Sequence, residues 1–414
     1  MSKQKVLIIA LVWPEPQATA AGSRMLQLLH FFKKSNFAVT VASTSTVSKL
    51  SLDLDELGIK QKQIQLNDSS FDAFITDLNP SIVLFDRFIS EEQFGWRVTE
   101  HAPNALRILN TEDLHSLRHV REKSFKKNIR FSTSDWLNDD KTKREIASIY
   151  RSDLSLIISS YEMELLQNVI NIDKSLLLHL PFMLDKVGEE QISDWPSFSE
   201  RKDFICIGNG KHAPNIDAIV WLKKEIWPLI RDQLNDARLQ IYGAYLPEFI
   251  NQMHTPKDGF LVHGWAEDKK MVFENSRINL TPLRFGAGIK GKLVDSMTFG
   301  TPSITTSIGA EGMHNNLPWN GTIIDQAEAF ARAAVSLYTD ENAWQKAQLL
   351  GIEIIDQVYD AEKLHNKLST AIDQLTEGLI AHRKQNFIGV MLQHHSLAST
   401  KFMSKWIEEK KTRP

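Results

Sequence analysis

Short runs of aliphatic and β-branched residues recur along this chain, each followed by a longer stretch with apolar positions at helical spacing. In the first half the runs are Val6 to Ile9, Val39 to Val41, Ile82 to Phe85, Leu106 to Leu109, Leu156 to Ile158 and Leu176 to Leu180. They lack the alternation of a half-exposed strand. Continuous apolar runs are what a parallel sheet needs when helices cover both its faces. The rhythm restarts at Phe204 to Ile207 and continues through Leu239 to Tyr242, Gly259 to Val262, Ile278 to Pro282, Ser303 to Thr306 and Thr322 to Ile324. The pattern predicts an α/β protein of two Rossmann-like, doubly wound domains. Leu180-Pro181-Phe182 and the polar stretch Lys186 to Lys202 interrupt the rhythm and mark a linker. Residues 1–185 and 186–380 are therefore expected as the two domains, with 381–414 a helical segment, broken from the preceding helix near His382 to Asn386, that packs back on the first domain. Lys123 to Asp140 is polar without a strand and reads as an exposed insertion or a helix pair.

Composition agrees with this picture and narrows it. A chain of 414 residues exceeds what one core supports, and 42% hydrophobic with 24% charged residues is the make-up of a folded protein. The net charge of −3 gives no general field for nucleic acid, so any polyanion site has to be local. One cysteine, Cys206, excludes an intrachain disulfide and a cysteine metal cluster and suits a reducing cytoplasm. The start, MSKQKVLIIALVWPEP, has an apolar run too short for a leader, with prolines at 14 and 16, and reads as a buried first strand. No run approaches the roughly 20 residues needed to span a bilayer, so membrane contact is expected to be peripheral, at the inner face. Apolar residues from Phe387 to Trp406 with the basic tail Lys401, Lys405, Lys410, Lys411 and Arg413 suit either a membrane-facing helix or one packed on the domains.

Ligands of open parallel sheets bind beyond the carboxyl ends of the strands. The richest such loop runs from Thr281 to Pro302. Gly286 and Gly288 follow a strand and precede a helix, so main-chain N–H groups and the helix dipole favour an anion there. Gly291 permits close backbone approach, and Arg284, Lys290 and Lys292 bring positive charge suited to a diphosphate. Asp295 lies one turn beyond Lys292, where it can meet ribose hydroxyls. The alternative is a tight turn with a surface Lys–Asp pair.

RFGAGIKGKLVDSMTFGTPSITTSIGAEGM, from Arg284 to Met313, strongly resembles the donor-binding stretch of group 1 (family 4) glycosyltransferases of the GT-B fold. The similarity extends back to the loop Gly208-Asn209-Gly210-Lys211 and on to about Asp356, and is weaker in the first half. It implies a GT-B architecture with an interdomain cleft and a retaining, metal-independent transfer of a sugar. The donor is a nucleotide-diphosphate sugar, no other cofactor is needed, and the acceptor is a glycan, lipid-linked, protein or small molecule. Asp295 would hold the ribose, and Arg284, Lys290 and Lys292 the diphosphate. The chain departs from the family in carrying Asp295 for the usual glutamate, Ala287 for a second glutamate near the sugar, and Lys211 alone for an Arg and Lys pair.

Further candidates line the other strand ends. Glu311 can contact sugar hydroxyls or complement a helix dipole, and Gly264-Trp265 can meet a base or simply pack. In the first half Asp113 and His115 reach the cleft edge as candidate catalytic groups, or cap and pack instead. Gly22 and Arg24 lie in a loop where Ala21 replaces a family glycine; Arg24 is expected to bind a phosphate or the acceptor, or else to be a solvated first-turn arginine, and Asp86, Arg87 and Glu91 or Glu92 can line the acceptor side. Asp53-Leu54-Asp55 matches the DxD of metal-dependent transferases but sits in a polar stretch read as helical, His394-His395 lacks further metal ligands at suitable spacing, and no GxSxG elbow occurs. Rival readings are a nucleotide-sugar epimerase and a catalytically silent nucleotide-sugar-binding protein.

Overall fold

The computed structural model describes residues 3–412. Seven parallel strands form the first sheet: β1 (Lys5–Ala10), β2 (Ala38–Ser43), β3 (Lys60–Gln63), β4 (Ile82–Asp86), β5 (Leu106–Asn110), β6 (Leu154–Ile157) and β7 (Leu177–His179), in the order 3-2-1-4-5-6-7. Six more form the second: β8 (Lys202–Ile207), β9 (Leu239–Tyr242), β10 (Phe260–Gly264), β11 (Ser276–Thr281), β12 (Ser303–Thr305) and β13 (Gly321–Ile323), in the order 10-9-8-11-12-13. The apolar runs predicted all of these except β3. Its sequence, Lys-Gln-Lys-Gln, is exposed throughout, and such charged edges are what keep a sheet from pairing with another chain. In each sheet the strand order reverses beside the first strand, between β1 and β4 and between β8 and β11. Loops at those two switch points face each other across a cleft.

The polar segment after the helix His115–Lys126 is more integrated than an exposed insertion. It forms the short helix Thr133–Asn138, capped by Ser132, and then runs into Asp140–Arg151. Trp136 is fully buried, its indole N–H donating to Ser116 Oγ at 2.8 Å.

After Tyr359 the chain crosses back to the first sheet. Main-chain bonds Leu184 N to Tyr359 O at 2.7 Å and Ala361 N to Leu184 O at 2.8 Å fix the crossing. The helix Ala361–Gln385 then buries Leu364, Leu368 and Ile372 in the first domain's core. Arg383 near its end pairs with Asp153 at 2.7 Å, which Arg107 also holds. At Asn386 the helix breaks, and Phe387–Thr412 lies across the helices Arg87–His101 and Asp140–Arg151. Arg413 of the basic tail lies outside the described residues.

Three contacts seal the seam between domains. Glu162, fully buried, accepts from Leu114 N of the first domain and Gly288 N of the second, both at 2.9 Å. Arg121 makes a two-pronged pair with Glu311 at 2.7 and 2.8 Å and donates to Gly286 O at 2.8 Å. Phe125 stacks on Phe285 with centroids 5.0 Å apart. Burial, reinforced by Asp113, pushes the Glu162 carboxyl up to about 8.

Two measurements test this construction. Leu368→Ala should cost about 2–5 kcal/mol in denaturant unfolding, since it empties a core position of the first domain although it lies far along the chain. An unfolded Glu162 ionises near 4.5 whereas the folded one keeps its proton to about 8, so it subtracts stability as pH rises across that window. Glu162→Gln keeps the accepting oxygen but not the titration. Its loss of stability between pH 5 and pH 8 should be smaller than the wild type's, and equal slopes would show that Glu162 is ionised in the fold.

Candidate active site

The cleft has a volume of about 590 Å³ and is walled by both domains. Its second-domain wall begins where β8 ends. Gly208 is bare there because a Cβ would come within 2.7 Å of both the Asn215 amide and Lys292 Nζ. That room lets Lys292 Nζ reach Asn215 Oδ1 at 2.6 Å. The helix Gly291–Thr298 starts just after Lys290 with no side-chain cap, and its first residues, Gly291 and Lys292, line the cleft together with Lys290. Burial pushes each of these ammonium groups down to about 8. Lys290 Nζ donates to Gly288 O at 2.9 Å. One turn along, Asp295 accepts from Lys269 Nζ at 2.9 Å; burial raises its carboxyl and Lys269 opposes the rise. Asn209, Lys211 and Trp265 complete this wall, with Trp265 42% exposed.

The first-domain wall is built from the ends of β1, β4 and β5. Thr19 caps the helix Ala20–Lys34 by accepting from Gly22 N at 2.9 Å, and Gly22 lies against the Glu15 backbone, with a Cβ 2.4 Å from its carbonyl carbon. Asp113 sits between Arg118, at 2.7 Å from Nε to Oδ2, and His115, at 3.2 Å from Nε2 to Oδ1. Burial by itself would raise this carboxyl, but Arg118 and His115 outweigh it and hold Asp113 below the ordinary range. Burial pushes His115 down to about 4 against the pull of Asp113, so at neutral pH its ring is uncharged. Glu145 accepts from the N–H groups of His115 and Ser116 at 2.9 and 3.0 Å and so anchors the helix that carries His115. Asp86, Arg87 and Glu112 also face the cleft. Arg87 and Glu112 hold φ angles of 70° and 64°, a left-handed conformation that costs a side chain roughly 1–2 kcal/mol and gathers at functional sites. Burial and neighbouring Asp86 push Glu112 up to about 8.

The walls thus bring together Asp113, His115, Lys290, Lys292, Asp295, Gly22, Gly208, Asn209, Trp265, Gly286 and Gly291. Other candidates lie elsewhere. Arg284 is not a cleft cation: it pairs with Asp217 at 2.7 Å and packs over Phe125 and Trp221. Glu311 is spent on Arg121. Gly288 belongs to the seam, where its φ of 64° and a Cβ position 2.7 Å from that of Asp113 leave no room for a side chain. Gly264 ends β10 with φ 82° and lies off the cleft wall. Arg24 is fully buried, donating to Asn110 Oδ1 at 2.8 Å and Pro181 O at 3.1 Å. Glu91 pairs with Arg151 and Glu92 with Arg144, away from the cleft. Asp53 and Asp55 occupy a turn, not a helix, and among the described residues no group of three or more His, Cys, Asp or Glu side chains is placed to hold a metal.

Sequence reasoning missed Glu112, Arg118, Asn215 and Lys269 as cleft residues, and Arg121, Glu145 and Glu162 as their supports. Arg118 had a signal: five residues after Asp113, it is within reach if a helix starts between them. Arg121, Glu145 and Glu162 had none, because their partners lie 190, 30 and 126 residues away.

Comparison with known proteins follows the same division. Residues 201–340 match the family model of group 1 glycosyl transferases. An uncharacterized 44.6 kDa protein in the cps region of Klebsiella pneumoniae is 21% identical over 179 residues, 40% of this chain and 44% of the relative, so the similarity spans less than half of that protein. Among solved structures, a sucrose-phosphate synthase from Thermosynechococcus elongatus superposes with a TM-score of 0.67 at 13% identity, covering 91% of this chain and 100% of that one. The Anabaena protein HepE, crystallised with UDP and glucose, gives 0.65 at 11% identity over 89% of this chain and 99% of its own. TarM of S. aureus, in complex with UDP among other ligands, gives 0.67 at 9% identity over 89% and 99%. The resemblance carried by the glycine loop therefore holds as a match of residues 201–340 to the group 1 glycosyl transferase model, and the two-domain protein has the GT-B fold.

Proposed function

We propose that this protein is a glycosyltransferase that moves a sugar from a nucleotide-diphosphate sugar to an acceptor, with retention of configuration and without a metal. The observation that carries the reading is the grouping of Lys290, Lys292, the N-terminus of the Gly291–Thr298 helix and Asp295 on one wall of a cleft, opposite Asp113 and His115. A diphosphate at that N-terminus would meet two ammonium groups and unsatisfied N–H donors, and the ribose would reach Asp295 in place of Lys269. Solved neighbours that hold UDP, among them HepE with glucose, support this seating of a nucleotide.

Breaking the glycosidic bond places negative charge on the diphosphate, and preorganised cations in a water-poor cleft stabilise it most. Lys290 and Lys292 take that role in this reading. Arg284, held by Asp217, acts on the seam instead. No cleft residue is positioned as an evident covalent nucleophile, so displacement on one face of the sugar, with the leaving phosphate accepting the acceptor's proton, is the preferred route. His115, uncharged and tied to Asp113, positions a hydroxyl of the transferred sugar or the acceptor. Residues 1–185 serve the acceptor, 186–380 the donor, and the closing helices join the two.

The deciding assay offers UDP, GDP and ADP sugars with candidate acceptors and follows released nucleotide, isomerised donor or binding alone. Sugar transfer predicts the first, an epimerase the second and a silent binding protein the third. Lys292→Ala should weaken UDP binding roughly 10- to 100-fold by calorimetry, the worth of one or two hydrogen bonds to a charged group. Undiminished affinity would put the diphosphate elsewhere. Asp295→Ala should likewise weaken UDP while costing at most about 1 kcal/mol in unfolding, the worth of its part-exposed pair with Lys269.

A further inference from the structure

We propose that the outer face of the Phe387–Thr412 helix is a docking surface for an anionic lipid membrane. This helix is apolar on two sides. Inward, Leu397 and Ser404 are buried against the first domain. Outward, Phe387, Met391, His395, Ala398, Phe402 and Trp406 follow one another at spacings of three and four, which places them on a single stripe about 28 Å long. Phe387 is 72% exposed, Phe402 68% and Trp406 53%. Scattered apolar residues on a surface need no explanation, but a single helix stripe in which Phe387, Met391, Phe402 and Trp406 are all exposed marks an interaction site.

Charge decides what covers it. Lys405 and Lys410 are exposed beside the stripe, with Lys384 and Lys411 at its two ends. Lys384 and Lys405 have no ion-pair partner among the described residues, and Lys410 Nζ sits 3.9 Å over the Trp406 ring. Of the two acids in this helix, Glu408 turns inward to Ser69 N at 2.6 Å and to Arg97 at 3.5 Å, leaving Glu409 as the acid of the outer side. A second copy of this face would bring lysines without a matching set of acids. An anionic bilayer surface supplies the complement: apolar and aromatic side chains enter the headgroup boundary while lysine stems reach phosphates.

Geometry agrees. The helix is fastened to the C-terminal ends of its two supporting helices, through Arg97 to Ser404, Glu100 to Lys401 and Tyr150 O to Asn386. The cleft lies at the opposite end, beside Arg87 where the first of those helices begins, so a docked membrane leaves it open. No described helix is long and apolar enough to cross a membrane, so the contact would lie in the interfacial plane.

The test is sedimentation of the full chain with vesicles of phosphatidylcholine alone or with about 30% phosphatidylglycerol. Wild type should bind the anionic vesicles and release them as salt rises. Phe402→Ser with Trp406→Ser should weaken binding at least about tenfold. Lys405→Gln with Lys410→Gln should weaken it about thirtyfold, at about 1 kcal/mol for each lysine. Because these side chains are exposed, both variants should unfold at the wild-type temperature and bind UDP as wild type does, so the result stands apart from the fate of the sugar-transfer reading. Equal binding to neutral and anionic vesicles, no binding, or variants that bind like wild type would overturn the proposal. So would a wild-type dimer in light scattering that Phe402→Ser with Trp406→Ser dissociates, which would assign the face to a second copy.

Discussion

The cleft depends on one steric fact, the contact of Gly288 with Asp113. At a φ of 64° and with a virtual Cβ 2.7 Å from that of Asp113, position 288 accepts no side chain without moving a domain. The same residue donates its N–H to Glu162 and gives its carbonyl to Lys290, so this one glycine sets the spacing between the domains and the posture of a cation at once. Moving it would carry Lys290 away from the helix N-terminus and uncover the carboxyl of Glu162. The glycine loop, which the proposed function reads as a phosphate seat, is thus also the place where the two domains meet.

Closure concentrates charge where water is scarce. Arg121, Glu311, Glu162, Lys290, Asp113, Arg118 and His115 all lie at or beside the seam, and each buried ion has a partner or is pushed toward its neutral form. Removing one partner of such a pair leaves an uncompensated charge and typically costs 3–5 kcal/mol, while the intact pair adds little to stability. The Arg121–Glu311 pair thus acts mainly to specify one closed arrangement. Separating the domains would hydrate both ions, which would offset part of the lost contact.

The sequence revealed the parts whose physics is local. Buried parallel strands need unbroken apolar runs, and twelve of the thirteen strands announced themselves that way; β3 did not, because an exposed edge strand is selected for polarity. The second-domain wall was legible since a strand end, a glycine loop, two lysines and Asp295 fall within one short segment. The opposite wall was only half legible. Asp113 and His115 stood out as a polar turn after an apolar run, but Glu112 beside them carries no sign of its left-handed backbone, and Glu145 and Glu162 read as ordinary helical acids. Arg284 misled for the converse reason: a cation next to a phosphate-type loop looks committed to it, and only the tertiary fold brings Asp217 within 2.7 Å.

Burial of the donor-side lysines has a further consequence under the sugar-transfer reading. With both ammonium groups pushed down to about 8, an empty cleft gives up part of their charge in mildly alkaline solution. A bound diphosphate favours the charged forms and raises both, so nucleotide binding above neutrality takes up protons, and affinity falls as pH climbs through 8. The desolvation that depresses the lysines is the same condition that strengthens their hold on the leaving group once charged. A cleft arranged this way holds a diphosphate best where the lysines are still protonated before the ligand arrives, below about 8, and over that range His115 stays uncharged down to about 4.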